Sequence, residues 1–148
     1  MKKVFFLVLI MCITLMYTSN AQVRKIPAEV TNAFSEKYGD AKNVEWKDKL
    51  SAFAATFELN GDKLEARFNK KGEWQSTDKE LGIDDLPSSV KDGFSKSKYT
   101  DWETKAVYRV ELPDDKKEYK VHVAKSSVQK KILLFDGEGK LLKDNLTL

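Results

Sequence analysis

A ten-residue segment of this chain occurs twice, sixty positions apart. Residues 26–35 read IPAEVTNAFS and residues 86–95 read LPSSVKDGFS, so proline, valine, phenylalanine and serine recur at the same four positions. A fixed period of this length indicates two copies of one supersecondary unit. The repeat constrains the fold strongly, because whatever the first copy forms, the second copy is expected to form again.

The beginning of the chain has the pattern of a secretory signal peptide. Two lysines at positions 2 and 3 precede an apolar stretch over residues 4–16, and Ser-Asn-Ala at 19–21 ends in the small-x-small pattern that signal peptidases recognise. A membrane-spanning helix would need ~20 apolar residues, more than this stretch has. A lipid anchor on Cys12 is disfavoured because Cys12 lies in the middle of the stretch. We therefore predict that residues 1–21 are removed and that the mature protein is periplasmic or secreted.

Removal of the signal peptide changes the composition of the chain. The remaining 148 − 21 = 127 residues carry 26 − 2 = 24 basic and 23 acidic side chains, a net charge of +1, and no cysteine. This balance gives no general attraction to nucleic acid or to a membrane surface, so neither is an expected partner. Without disulfides the fold depends on burial, and a unit of about 60 residues is marginal alone. We therefore expect residues 22–82 and 83–148 to form one body with a shared core.

Each unit is expected to begin with a helix. Prolines at 27 and 87 suit the first helical turn, where a missing N–H costs nothing. Apolar residues follow at helical spacing: Ile26, Val30, Phe34 and Tyr38 in the first unit, and Leu86, Val90 and Phe94 in the second. This spacing predicts one apolar face on each helix. Gly93 either weakens the second helix or permits another segment to pack closely against it.

Strands are expected after each helix, because apolar and polar residues alternate there with period two. In the first unit the alternating segments are residues 44–46, 53–59 and 64–68, followed by a short strand around Trp74. Asn60-Gly61 is the strongest hairpin signal in the chain, because both residues tolerate a positive φ. Residues 77–85 are mostly polar and are interpreted as the connection between the two units.

The second unit has a similar pattern with longer hairpins. Its strands are expected at residues 102–110, 119–123 and 132–135. The alternation predicts that one buried face carries Trp102, Thr104, Ala106, Tyr108 and Val110.

Together these patterns predict an α+β fold. It is a tandem repeat of one helix followed by four antiparallel strands, with both helices packed on one face of a roughly eight-stranded sheet. The other sheet face is left open, and it is the predicted binding surface. The residues assigned to it are Glu65, Arg67, Arg109, Glu111, Lys120 and His122, with Trp74 nearby.

The two units also resemble a known family. Each opens with [IL]-P-x-x-V-x-x-x-F-S and closes with F-[ND]-x-x-G-[EK], at residues 68–73 and 135–140. In tandem behind a signal peptide, this arrangement resembles the β-lactamase-inhibitor-like, PepSY-like periplasmic proteins of Bacteroidetes, over residues 24–146. The resemblance implies the fold of β-lactamase inhibitory protein, in which an open, concave sheet face grips a partner. This mature chain lacks the inhibitor's cysteines, and its open face is charged rather than aromatic, so the resemblance implies the fold more than the target.

Residue patterns of catalysis and metal binding are missing from the sequence. His122 is the only histidine, and no Gly-x-Ser-x-Gly motif accompanies it, as a hydrolase triad would require. The acidic pairs at 84–85 and 114–115 lie in predicted turns, where Asp bonds to the backbone. A single histidine without cysteine cannot build a structural zinc site, and no nucleotide-binding glycine motif is present. We therefore expect no catalytic residues, no metal and no cofactor.

The expected function follows from these exclusions. The sequence predicts an exported, non-enzymatic binding module that holds a protein or peptide on its open sheet face, and that could inhibit a periplasmic or secreted enzyme. A small-ligand or cell-envelope glycan binding protein is the alternative. The alternative requires a closed apolar pocket of roughly a few hundred Å³, whereas a protein binder requires a broad face.

Overall fold

A computed structural model describes residues 25–146, so the predicted signal peptide and Cys12 lie outside the described residues. Eight strands form one antiparallel sheet, in which each strand pairs with its neighbours along the chain. The helices are α1 (Ala28–Lys37) and α2 (Ser88–Ser95), with a 3₁₀ turn at Ile83–Asp85. The strands are β1 (Lys42–Lys49), β2 (Ala52–Leu59), β3 (Asp62–Asn69), β4 (Trp74–Leu81), β5 (Glu103–Glu111), β6 (Lys117–Ala124), β7 (Lys130–Asp136) and β8 (Leu141–Leu146). Within this described part, no helix is long and apolar enough to cross a bilayer.

Both helices pack on one face of the sheet, which we call the helix face; the opposite side is the open face. Under α1, the buried side chains include Val30, Phe34, Phe53, Phe57 and Phe68. Under α2, they include Val90, Val107, Val121, Leu133 and Phe135. The described apolar residues therefore form two clusters joined by a continuous sheet, and the expectation that the two units form one body stays a prediction. Polar side chains of β4 and β5, such as Thr77 and Arg109, occupy the helix face between them.

Glycine is required where the last hairpin turn of each half meets the helix of that half. A Cβ on Gly139 (φ +86°) would lie 2.0 Å from the carbonyl oxygen of Ser89, and one on Gly72 (φ +83°) would lie 2.5 Å from that of Glu29. A Cβ on Gly93 would lie 1.9 Å from the Gly139 oxygen. Of the two roles expected for Gly93, the structure therefore supports the second, in which it permits another segment to pack closely.

Strand β4 is longer than the alternation predicted. Residues 77–81 belong to the strand and not to the connection between units. Thr77 and Asp78 are polar but buried, because each has a partner distant in sequence. The Thr77 hydroxyl is hydrogen-bonded to the hydroxyl of Tyr38, and Asp78 accepts a hydrogen bond from Lys120. Polar groups can be buried in a strand when they have hydrogen-bond partners. Because such residues interrupt the alternation of apolar and polar side chains, the strand is not recognised from that alternation.

A bulge in β5 reverses the faces that were predicted for that strand. The register with β6 shifts between Thr104 and Ala106, so one extra residue is inserted there. A shift of one residue moves every later side chain to the other face. As a result Val107 is fully buried in the cluster under α2, whereas the expected core residues Tyr108 and Val110 lie on the open face.

Candidate binding surface on the open sheet face

The open face contains a concavity of about 510 Å³ that extends from β1 to β7. Its first part, on β1 to β4, is charged and includes Lys47, Lys63, Glu65, Arg67, Asp78 and Glu80. Its second part, on β5 to β7, is mainly apolar and includes Tyr108, Lys120, His122, Ile132 and Leu134. We call these the charged part and the apolar part of the concavity.

Two linked ion pairs form the floor of the charged part. The guanidinium of Arg67 donates from Nε and Nη2 to Oε1 of Glu65, at 3.1 and 2.9 Å. Lys120 Nζ lies 2.5 Å from Oδ2 of Asp78, and Arg67 Nη2 lies 3.9 Å from the same oxygen. Asp78 is only 9% exposed, and its other oxygen, Oδ1, is buried without a hydrogen-bond partner among the described residues. Asp78 therefore acts from beneath the surface, by holding two cations in place.

The apolar part is arranged around the ring of His122. This ring packs against Tyr108 with a centroid distance of 5.0 Å, and cross-strand register places Ile132 beside it. Burial, together with the nearby Lys120 charge, lowers the pKa of His122 from its ordinary value. Burial and the carboxylates of the charged part raise the pKa of the Tyr108 hydroxyl. Both shifts favour the uncharged forms of the rings at neutral pH, which keeps this part of the surface mainly apolar.

Two lysines at the rim of the charged part have no ion-pair partner among the described residues. Lys47 and Lys63 are exposed and line the concavity. Register places Lys47 opposite Ala54, and Ala54 opposite Arg67, so that two cations flank a small side chain. Among the acidic residues that line the concavity, Glu80 has no ion-pair partner within the described residues.

The structure divides the seven predicted site residues between the two faces. Glu65, Arg67, Lys120 and His122 lie together in the concavity. Arg109 and Glu111 lie on the helix face, so their assignment to the open face is wrong. Trp74, which was expected near the open face, also lies on the helix face. For Arg109 and Glu111 the cause is the bulge in β5, after which Glu111 is opposite the buried Thr77.

The three residues on the helix face have contacts of their own. Trp74 packs against the cluster under α1, with its Nε1 donating to Thr77 at 2.9 Å and Lys37 Nζ lying 3.9 Å from its ring. Arg109 pairs with Glu111 at 2.9 Å, and its Nε is buried without a partner among the described residues. Trp74 and Glu111 border a separate groove of about 360 Å³. This groove shares no lining residue with the concavity.

Sequence reasoning missed nine of the thirteen residues that line the concavity, and four of them show why. Tyr108 was assigned to the core, and Asp78 to a connection. Ile132 and Leu134 lie in a continuous apolar run, and their faces were left unassigned because such a run has no alternation to follow. One signal was available. Leu133 and Phe135 alternate along the strand and are buried, so that Ile132 and Leu134 between them belong to the open face.

Metal binding receives no support from the described side chains. No three His, Cys, Asp or Glu residues within 25–146 are grouped so that they could hold a metal ion. Two of the three carboxylates in the concavity, Glu65 and Asp78, are instead paired with Arg67 and Lys120.

The sequence matches a protein-family model described as "Putative beta-lactamase-inhibitor-like, PepSY-like" over residues 51–143, more than half of the chain. The chain belongs to this family. None of the curated proteins compared with it matches.

Solved structures of Bacteroides proteins share the fold. A BLIP-like protein of Bacteroides fragilis is 27% identical, with a TM-score of 0.69 over 82% of this chain and 86% of that one. A DUF2874 family protein of Bacteroides ovatus is 29% identical, with a TM-score of 0.72 over 81% and 86%. A chain of Bacteroides eggerthii described under "putative periplasmic proteins" is 24% identical, with a TM-score of 0.72 over 81% and 88%, and this likeness concerns the fold alone.

Proposed function

We propose that this chain is an exported, non-enzymatic binding module whose concavity on the open face holds a segment of a protein or peptide. Inhibition of a periplasmic or secreted enzyme is the sharpest form of this proposal. The observation that carries it is the composition of the concavity, where side chains of seven neighbouring strands form a charged part beside an apolar part. Interfaces that hold a partner combine apolar anchors with charged groups that fix orientation.

Membership of the family and likeness to a BLIP-like protein support a binding role. The order of helix, four strands, helix, four strands is consistent with a tandem duplication, which we include in the proposal. The predicted signal peptide supports an exported location. N-terminal sequencing of the mature protein tests that location: the expected first residue is Gln22, and an unprocessed or lipid-modified start would contradict it.

The small-ligand or glycan alternative is favoured by one measurement. The concavity volume of about 510 Å³ lies within the range of roughly 300–1,000 Å³ that holds small ligands. Against it, the concavity is open and its two parts lie on opposite sides of the sheet centre. A small ligand bound at Lys63 would not also reach Leu134, which is four strand spacings away.

The experiment is capture of partners from periplasmic extract by the immobilised mature protein, with two variants in parallel. The test variant is Tyr108→Ser with Leu134→Ser, which removes two apolar side chains from the concavity. The matched control is Val128→Ser with Leu142→Ser, which removes two exposed apolar side chains outside it. Circular dichroism verifies that both variants remain folded.

We expect a partner that binds the mature protein and the control, and that the test variant loses. An anchor in a desolvated centre should cost about 2 kcal/mol or more, which is roughly thirtyfold in Kd. A partner that both variants capture equally would place binding elsewhere. Enrichment of a small molecule or glycan in place of any protein would favour the alternative.

A further inference from the structure

The lining of the concavity carries a small excess of positive charge, and that excess is at its rim. Four cations (Lys47, Lys63, Arg67 and Lys120) face three carboxylates (Glu65, Asp78 and Glu80). Two of the carboxylates are already paired with Arg67 and Lys120. Because Asp78 is also buried, an incoming segment does not meet its charge directly.

What an incoming segment meets first is therefore cationic. The rim lysines are exposed and without an ion-pair partner among the described residues, and the side chain of Arg67 is 41% exposed. A carboxylate would gain favourable interactions here without displacing an existing pair. A basic side chain would be repelled by the same groups, since Glu80 is the one lining acid not engaged by a cation in this part of the chain.

The other anchor point is apolar and lies further across the sheet. From Lys63 on β3, Tyr108 on β5 is two strand spacings away and Leu134 on β7 is four. At about 4.8 Å per spacing these separations are ~10 and ~19 Å, which an extended peptide covers in about three and six residues at ~3.3 Å each. A small ligand that reaches the rim lysines would not reach both apolar side chains as well.

On the basis of the function proposed above, we propose that the bound segment is a peptide with a carboxylate side chain and a large apolar side chain three to six positions apart. The carboxylate lies against Lys63, with Lys47 adding positive charge at the other end of the rim, and the apolar side chain lies on Tyr108, Ile132 and Leu134. The peptide crosses the strands rather than extending the sheet, because the two anchors are on different strands.

The test is selection from a random 12-residue peptide library displayed on phage, with the folded mature protein as bait. A charge-reversed bait carries Lys47→Glu and Lys63→Glu, neither of which breaks an ion pair within the described residues. A matched bait carries Lys125→Glu and Lys140→Glu, the same change of charge at exposed positions outside the concavity. Selected peptides are then synthesised and added to the mature protein while the ring signals of its single histidine, His122, are followed by NMR.

We expect the mature protein and the matched bait to enrich peptides with Asp or Glu and an apolar residue at this spacing. The charge-reversed bait should bind those peptides at least about tenfold more weakly and should enrich basic ones. The signals of His122 should shift on binding.

Three results would overturn the inference. If basic peptides, or peptides without the apolar residue, are enriched and shift His122, the chemistry assigned to the segment is wrong while the proposed function stands. If the peptides bind without affecting His122, the site is wrong. If no peptide is enriched, short segments of this kind are not recognised. Partner capture by the Tyr108 and Leu134 variant then decides separately whether the proposed function survives.

Discussion

The Lys120–Asp78 pair should contribute more to stability than another lysine–aspartate pair of the same length elsewhere in the sheet. Lys120 and Asp78 have side chains that are 18% and 11% exposed, whereas the Lys79–Asp62 side chains are 28% and 44% exposed, and both pairs have N···O distances of 2.5 Å. Replacing Lys120 by Met keeps most of the aliphatic stem but leaves Asp78 buried with a weaker partner. The same change at Lys79 leaves a carboxylate that water can reach.

The expected loss of stability depends on how deeply Asp78 is buried and on which cation remains near it. Breaking a buried pair costs ~3–5 kcal/mol, because an uncompensated charge stays in the interior. Arg67 Nη2, 3.9 Å from Asp78 Oδ2, still compensates part of that charge, so we expect about 2–3 kcal/mol for Lys120→Met. Lys79→Met should cost under about 1 kcal/mol, as surface pairs do.

The measurement is urea unfolding followed by circular dichroism, with the free energy of unfolding extrapolated to water. A double-mutant cycle with Asp78→Asn isolates the coupling between the partners, which should exceed about 1 kcal/mol. Equal losses for the two lysine substitutions, or a coupling near zero, would refute the view that Asp78 organises the charged part of the concavity from beneath.

Three further predictions concern His122, the glycine turns and the two halves. The pKa of His122, followed by NMR, should lie below its ordinary value of 6.5. Because the unfolded chain then binds the proton more readily than the folded chain, the free energy of unfolding should fall as pH drops below 6.5. His122→Asn should remove this pH dependence. Gly61 has φ +87° and open space around it, so Gly61→Ala should lower the free energy of unfolding in urea by ~1–2 kcal/mol. Gly139 has φ +86° and also lies against a helix carbonyl, so Gly139→Ala should lower it by ~1–3 kcal/mol more. Equal losses for the two substitutions would contradict the close approach at Gly139. Residues 22–82 and 83–148, expressed separately, should not melt cooperatively in calorimetry, because each would expose the sheet edge that β4 or β5 covers; two cooperative transitions would show independent domains.

Local signals made the helices and most hairpins predictable. Asn60-Gly61 adopts positive φ at both residues and joins β2 to β3 in the register of a two-residue turn, as its sequence predicted. The apolar spacing of α1 correctly placed Val30 and Phe34 in the core. These features depend on residues that are close in sequence, so a single window of the chain contains the whole signal.

The missed features depend on residues that are distant in sequence. Asp78 is buried because Lys120 reaches it from β6, and no window around residue 78 contains that information. The bulge after Thr104 is visible only against the register of β6, because alternation within β5 continues plausibly in either phase. Because of that single inserted residue, Tyr108 lies on the open face where Arg109 had been predicted. The open face is therefore partly apolar and not charged throughout.

The concavity also explains why two similar units can produce one asymmetric surface. The charged part comes from β1–β4 and the apolar part from β5–β7, so neither half contains both anchors. The two halves are also connected by an ion pair, because Lys120 of the second half pairs with Asp78 of the first, whose same oxygen lies 3.9 Å from Arg67. The difference between the two halves is therefore what gives the open face a direction. The peptide proposed above would therefore bind in one orientation, with its carboxylate over the first half and its apolar side chain over the second.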